Sequence, residues 1–405
     1  MHRPFFSVVI PTRNRAALAE DAIRSTLRQD FADFELIVSD NSDASDDGRT
    51  AALLAALPPD QRISCIRPAT PVSMPDHWEF ATRRATGEYV LVLSDRSVLK
   101  RDALSSIATA IRAAPTPPGA CAWRWSLFDD QLGIEFADQP AGDGGSSGLL
   151  PSSRLIAAFA ACDRVFPYCL PRGLNSCYRR EVGARLRERY GRLFQPVTPD
   201  FFSAFLLLAE LPDILYIDRS LFLSQGLSSS NGGEAYQTTN TQYLASLGPG
   251  TWTARGPIKA HLVEGAIMED FLAVKALAGG NLRDVEPDWP AYFGLCYREL
   301  SEKRGSARVA PAELAAMFEE WSSAVAALPP SEQQRTRQIV RSMWRQRIKA
   351  RLKRSPLGPV LVAAQRRFAR LKDGRGGAPP RTVMACAGFD DGTEPVPVPA
   401  GRSLE

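Results

Sequence analysis

Three places in the first hundred residues gather side chains able to do chemistry. Pro11-Thr12-Arg13-Asn14-Arg15, Ser39-Asp40-Asn41-Ser42 and Ser94-Asp95-Arg96-Ser97 each follow directly on a short apolar run, at 6–10, 35–38 and 89–93. A strand ending in such a cluster delivers it to the edge of a sheet, and open α/β sheets bind ligands in the crevice outside the carboxyl ends of their strands. Two carboxylates with basic and amide groups in one crevice suit a phosphate-bearing ligand and a divalent ion. Hard cations take oxygen ligands, and a guanidinium can grip two phosphate oxygens at once. A fourth candidate is Asp200, in Val197-Thr198-Pro199-Asp200-Phe201-Phe202-Ser203. Asp beside Pro at the head of a helix is a good cap.

The elements that must position these groups alternate in type. A helical pattern from Ala16 to Arg28 follows the first run. Strand 35–39 leads to a helix near 46–56, strand 63–67 to a helix near 77–85, and strand 89–93 to a helix from Asp102 to Ala113. Strands alternating with helices of this length predict an α/β fold with a mainly parallel sheet flanked by helices. A strand over Ala120 to Phe128, helices near 152–161, 179–190 and 199–209, and a strand at 214–217 complete that region. Asp129-Asp130 reads as a solvated turn after a strand, and Trp123 and Trp125 alternate across that strand, with core packing expected for both. The Gly/Ser segment from Gln225 to Gly233 is a loop, a lid or a boundary. The expected organisation is 1–230 as the α/β domain, 231–330 as a helical extension, 331–372 as a basic amphipathic segment and 373–405 as a disordered tail.

Bulk properties narrow the class. Apolar residues are 44% of the 405 and charged residues 23%, ordinary for a globular protein. Seven scattered cysteines and three histidines form no CxxC pair or zinc spacing, and a reducing compartment fits them. The amino terminus enters a strand almost at once, so no secretory leader is expected, and no run approaches the length of a membrane span. The net charge of +4 hides an asymmetry: thirteen Lys or Arg and no acid lie between Arg335 and Lys372, which leaves −9 for the rest. Within that stretch Ile339, Val340, Met343, Trp344, Ile348 and Leu352 share one helical face amid basic side chains, a pattern that suits an anionic membrane surface. The alternative is a helix docked on the body with its charges in water. Nucleic acid is not expected, because no binding signature accompanies the charge.

The blocks Ser7-Val8-Val9-Ile10-Pro11-Thr12-Arg13-Asn14-Arg15, Phe34-Glu35-Leu36-Ile37-Val38-Ser39-Asp40-Asn41-Ser42, His77-Trp78-Glu79-Phe80-Ala81 and Gly87-Glu88-Tyr89-Val90-Leu91-Val92-Leu93-Ser94-Asp95 resemble, in order and spacing, a family 2 glycosyltransferase. The resemblance covers roughly residues 5 to 230. It implies a GT-A-like fold and inverting transfer of a sugar from a nucleotide-diphosphate donor, with UDP favoured, to a hydroxyl acceptor. The setting it implies is surface polysaccharide, glycolipid or glycoprotein synthesis, by a cytoplasmic enzyme resting on the inner face of the cytoplasmic membrane.

It further implies that Pro11, Thr12 and Arg13 contact the nucleotide, that Asp40 accepts a hydrogen bond from the base, and that Arg13 or Arg15 approaches the diphosphate. Asp95 would hold a divalent metal, Mn2+ or Mg2+, beside the diphosphate, and Asp200 would be the catalytic base. The segment from Arg172 to Ser176, with Asn175 and Ser176, could line the acceptor side. One departure from the pattern stands out. The family usually carries a cluster of acids where this chain has Ser94-Asp95-Arg96-Ser97, so Arg96 would replace part of the ion's charge or mark an inactive site. A non-catalytic nucleotide-sugar-binding or scaffold protein is therefore the alternative reading.

Overall fold

The computed structural model describes residues 3–46, 48–129, 133–137, 147–163, 169–195, 197–225, 235, 237–239, 241–248, 251–306, 308–353 and 382–389. Its centre is a sheet begun by β1 (Phe6–Thr12), β2 (Phe34–Asp40), β3 (Ile63–Ile66) and β4 (Tyr89–Val92), parallel and ordered β3-β2-β1-β4. The inner strands of this set, β1, β2 and β4, are almost wholly buried on both faces, which is why they read as continuous apolar runs rather than alternating ones.

The second half of the sheet is mixed. It holds β5 (Ser97–Leu99), β6 (Ala120–Asp129), β7 (Ile134–Ala137), β8 (Gly148–Pro151), β9 (Ser176–Arg179) and β10 (Asp213–Ser224). The full order is β3-β2-β1-β4-β9-β6-β10-β5, with β7 on β6 and β8 on β10. Because β9 runs antiparallel to both β4 and β6, its amino end lies at the same sheet edge as the carboxyl ends of β1, β2, β4 and β6. That edge receives every strand-end group singled out above, together with the 172–175 turn.

Helices cover both faces. α1 (Ala16–Leu27), α2 (Arg49–Ala56) and α4 (Ala103–Ala113) pack on the side of Val8, Ile10 and Leu91. α3 (Met74–Thr82), α5 (Ser152–Ala160), α6 (Arg180–Tyr190) and α7 (Pro199–Glu210) pack on the side of Val9, Val90 and Val92. The expected helices near 46–56 and 77–85 begin at Arg49 and Met74; Ser73 caps the latter by accepting from the Asp76 amide, and Pro75 stands in its first turn.

The helical part comprises α8 (Thr241–Ser246), α9 (Val263–Ala278), α10 (Trp289–Lys303), α11 (Pro311–Ala326) and α12 (Pro330–Lys353). It shares one hydrophobic cluster with the second face of the sheet, and the Phe205 ring of α7 meets the Phe271 ring of α9 at 5.4 Å. Gly280 makes one close approach possible, since a Cβ there would fall 2.2 Å from the Ala209 carbonyl oxygen. Buried ions pin the entry to this part. Lys303 pairs with Glu299 at 3.1 Å and donates to the carbonyls of Ala235 and Thr238, while Glu299 accepts the Val263 and Glu264 amides that open α9.

Two expectations for the carboxyl-terminal region are revised. The apolar face of α12 has a protein seat: Ile339 and Met343 lie against Gly294 of α10, where a Cβ would sit 2.6 Å from the Ile339 Cγ2. Trp344, by contrast, is 59% exposed. The side chains of Ile348 and Leu352 lie outside the described residues, as do residues 354–381. Within the segment expected to be a disordered tail, residues 382–389 form a short helix, α13 (Val383–Cys386), that docks on the sheet. Val383, Ala387 and Phe389 are buried against Val98, Phe128 and Leu223, and the Arg101 amide donates to the Ala387 carbonyl. The expected loop residues 226–233 and Asp130 lie outside the described residues. No helix among the described residues is long and apolar enough to cross a membrane.

Candidate active site

The first strand-end turn is built by Asn14, whose φ of 55° places it in the left-handed region that Asn tolerates. This lets the Asn14 amide donate to Ser42 Oγ at 2.9 Å and its side-chain oxygen accept the Asp43 amide at 3.1 Å. The Asn41 amide donates to the Thr12 carbonyl at 2.9 Å, so the turns after β1 and β2 are tied into one wall. The same turn separates the two arginines. Arg13 is exposed and pairs with Asp43 at 3.3 Å, whereas Arg15 points to Asp95 at 3.7 Å.

Thr12 stands between the two carboxylate-bearing turns. It is the register partner of Asp40 across β1 and β2, and its hydroxyl donates to Asp95 Oδ2 at 3.1 Å. Pro11 is buried beside it. Asp40 is 4% exposed; it accepts the Ser42 amide at 2.9 Å, as a turn-capping Asp does, and Arg67 Nη1 at 3.1 Å. Below it, Ser39 Oγ and His77 Nε2 lie 2.8 Å apart, and burial pushes the His77 pKa down to about 4.

Asp95 is 5% exposed, and its burial raises the carboxyl above its ordinary range against the opposing pull of Arg15, Thr12 and Arg96. Arg96 is held by the far end of β10: its Nη1 donates to the Gln225 carbonyl at 3.1 Å, and the Gln225 amide donates back to the Arg96 carbonyl at 3.0 Å. Among the described residues no group of three or more His, Cys, Asp and Glu side chains could hold a metal ion. A single buried carboxylate with a hydroxyl beside it still fits a hard ion whose remaining oxygens come from a diphosphate and water. Arg15 and Arg96 bring positive charge to the same spot.

Asp200 occupies the first turn of α7, half-buried. Burial raises its carboxyl pKa, and the nearby Arg172 guanidinium opposes that rise. Arg172 lies over the Trp125 ring at 4.7 Å and the Phe201 ring at 5.1 Å. Its backbone passes over α3 at Gly173, where a Cβ would meet the Trp78 ring at 2.8 Å. Asn175 and Ser176 are buried and serve this turn. Asn175 Nδ2 donates to the Trp123 carbonyl at 3.0 Å, its oxygen accepts from Arg172 Nε at 3.3 Å, and Ser176 Oγ donates to the Arg172 carbonyl. The group of this segment that faces the aromatic rings is thus Arg172 rather than Asn175 or Ser176. Trp123 is in the core as expected, while Trp125 lies half-buried at the rim, stacked on Phe222.

Sequence reasoning missed Arg67, Gln225, Tyr243 and Asp270. Arg67 and Gln225 had only a position just past a strand end to mark them, and Tyr243 and Asp270 had no local signal.

Residues 7–134 match the family model described as Glycosyl transferase family 2. A stretch of 105 residues is 36% identical to the GalNAc(5)-diNAcBac-PP-undecaprenol beta-1,3-glucosyltransferase of Campylobacter jejuni, over 26% of this chain and 33% of that enzyme. The chain thus spans about a third of that relative's length. Among solved structures, S. aureus TarS 1-349 in complex with UDP-GlcNAc aligns at a TM-score of 0.46 and 15% identity, over 84% of this chain and 91% of that one. The mannosyltransferase PcManGT from Pyrobaculum calidifontis, in complex with GDP-Man and Mn2+, aligns at 0.39 and 18% identity over 84% and 86%. Both TM-scores lie below 0.5. The similarity to glycosyl transferase family 2 thus lies in residues 7–134, which build β1 to β6 and both carboxylate-bearing strand ends.

Proposed function

We propose that the chain transfers a sugar, with inversion, from a nucleotide-diphosphate donor to a hydroxyl acceptor, and that the donor is UDP-linked. The observation that carries this reading is Thr12, bonded to Asp95 and in register with Asp40 at the sheet edge where Arg15 and Arg96 also converge. Asp40 would accept a hydrogen bond from a ring N–H of the base, a charge-assisted and therefore strong contact. Arg15 and Arg96 would bind the diphosphate. Asp95 would hold a divalent ion, which when bound neutralises charge on the leaving diphosphate. Asp200 would take the proton of the acceptor hydroxyl as its oxygen bonds to the anomeric carbon and the bond to the diphosphate breaks on the opposite face. Burial favours this role, because a carboxylate with a raised pKa is the stronger base.

The Campylobacter relative's name specifies an undecaprenol diphosphate-linked saccharide, which favours a lipid-linked acceptor and work in surface polysaccharide, glycolipid or glycoprotein synthesis. An acceptor of that kind would bring the enzyme to a membrane face. The exposed Trp344 and the basic charge of 335–372 are the proposed contact there.

The test is thermal melting with UDP, GDP, CDP and dTDP, with manganese and with a chelator, followed by transfer assays on Asp200→Asn. One nucleotide is expected to raise the melting temperature, and Asp200→Asn is expected to keep that shift while losing transfer. Normal turnover in Asp200→Asn would remove the assignment. The reduced acidic cluster favours a second reading, nucleotide-sugar binding without transfer; a nucleotide shift with no transfer by the wild type under any metal would select it.

A further inference from the structure

The turn that presents Asp200 is strained and held from outside. Val197 is buried, β-branched and at φ 107°, a backbone region such residues rarely occupy and keep only when their surroundings impose it. The peptide plane that follows, between Val197 and Thr198, is gripped at both polar ends. Tyr243 Oη of α8 donates to the Val197 carbonyl at 2.6 Å, and the Thr198 amide donates to Asp270 Oδ2 of α9 at 2.7 Å. Thr198 sits at the N-cap of α7, yet its side chain makes no cap bond to that helix. Its hydroxyl donates to Asp270 Oδ2 instead. Asp270 is 2% exposed and sits one residue before Phe271, whose ring meets Phe205 of α7. The Tyr243 phenol is pushed above its ordinary range by burial and then by the Asp200 and Asp270 charges, as expected of three groups in one cluster. Both clamping residues lie far outside residues 7–134, in the helical part of the chain.

We propose that Asp270 and Tyr243 are positioning residues for the transfer reaction. They hold the 197–198 peptide plane, and through it fix where the Asp200 carboxylate stands against the acceptor hydroxyl. The inference rests on Asp200 being the base, as proposed above. It gives the helical part a share in catalysis: the sheet edge would hold the donor, and α8 and α9 would set the geometry of proton removal.

The test compares full-length wild type with Asp270→Ala, Asp270→Asn and Tyr243→Phe. Three quantities are measured: UDP affinity, kcat for transfer, and amide hydrogen exchange across 197–203. Asp270→Ala and Tyr243→Phe should leave UDP affinity within about twofold and lower kcat on the order of tenfold to a hundredfold, the scale of a small misplacement of a reacting group. Both should speed exchange in that peptide. Asp270→Asn keeps an oxygen to accept from Thr198 and should recover most of the kcat. Wild-type kcat in Asp270→Ala overturns the proposal. So does a loss of kcat matched by loss of UDP affinity and melting temperature, which would mean general destabilisation. If Asp270→Ala does not fold, Tyr243→Phe, which removes one hydroxyl, decides by the same readouts. If wild type transfers no sugar, the reading of Asp200 as base fails separately, and exchange still decides the clamp. Faster exchange in Asp270→Ala but not in Asp270→Asn upholds the clamp, and equal exchange in the two overturns it.

Discussion

Thr12→Val offers the most direct probe of the sheet-edge site, because it removes one hydroxyl and leaves the shape of the side chain. Thr12 is buried, and its hydroxyl donates to an Asp95 oxygen at 3.1 Å; the other oxygen faces Arg15 at 3.7 Å. Deleting a donor to a buried charged group costs about 2 kcal/mol, within the usual range of roughly 1.5–3. The pH dependence gives the effect its signature. Asp95 already titrates above its ordinary 3.8 in the folded protein, chiefly through burial. Between 3.8 and the folded value the native state binds more protons than the unfolded one, so stability from this group falls as pH rises through that window. Losing Thr12 raises the folded value further and widens the window. The variant should therefore lose most stability relative to wild type at pH values above that window, with the gap closing as the pH falls toward 3.8. Chemical denaturation at a series of pH values measures this, and an Asp95→Asn background should shrink the cost of Thr12→Val. A loss equal at all pH values, or unchanged in that background, would refute the coupling between Thr12 and Asp95.

His77 gives a complementary dependence. Its folded pKa of about 4 lies below the ordinary 6.5, so the native state binds fewer protons and stability should fall by about 3 kcal/mol as pH drops from 6.5 to 4. His77→Gln should flatten that slope in acid denaturation. Ending the chain at Lys372 removes Val383 and Phe389 from their seat and should cost about 3 kcal/mol by the area they bury; an unchanged melting temperature would show that the seat contributes nothing. Flotation with anionic vesicles should retain the full chain at low salt, and Trp344→Ala should weaken that retention. Equal retention of wild type and variant would remove Trp344 as a contact.

How far the sequence could be read depends on where each signal lies. β1, β2 and β4 are buried on both faces, so their apolar runs and the polar residues at their ends were legible, and with them Thr12, Asp40 and Asp95. β5, β7, β8 and β9 are three or four residues long, and a stretch such as Ser176-Cys177-Tyr178-Arg179 carries no periodicity. β10 extends from 213 to 224 across two register shifts, well beyond the apolar run at 214–217 that marks it. Asp270 was invisible because its partner Thr198 stands 72 positions earlier in the chain. The apolar face of α12 was legible, but its occupant was not, since the answer lay in the missing side chain of Gly294. The docked tail was hidden in a stretch whose Gly and Pro content resembles a linker; Val383 and Ala387, four residues apart, were its faint trace.

That docked tail bears on how the molecule is made. Val383, Ala387 and Phe389 cover Val98 of β5 together with Phe128 and Leu223, so translation must pass residue 389 before the cover exists. Until then the nascent sheet carries that apolar patch uncovered. Transiently exposed apolar surface invites association with other chains, so the nascent protein is most open to misassembly before residues 383–389 have docked. A chain made only as far as residue 382 would hold every catalytic candidate named here, yet leave Val98, Phe128 and Leu223 without that cover.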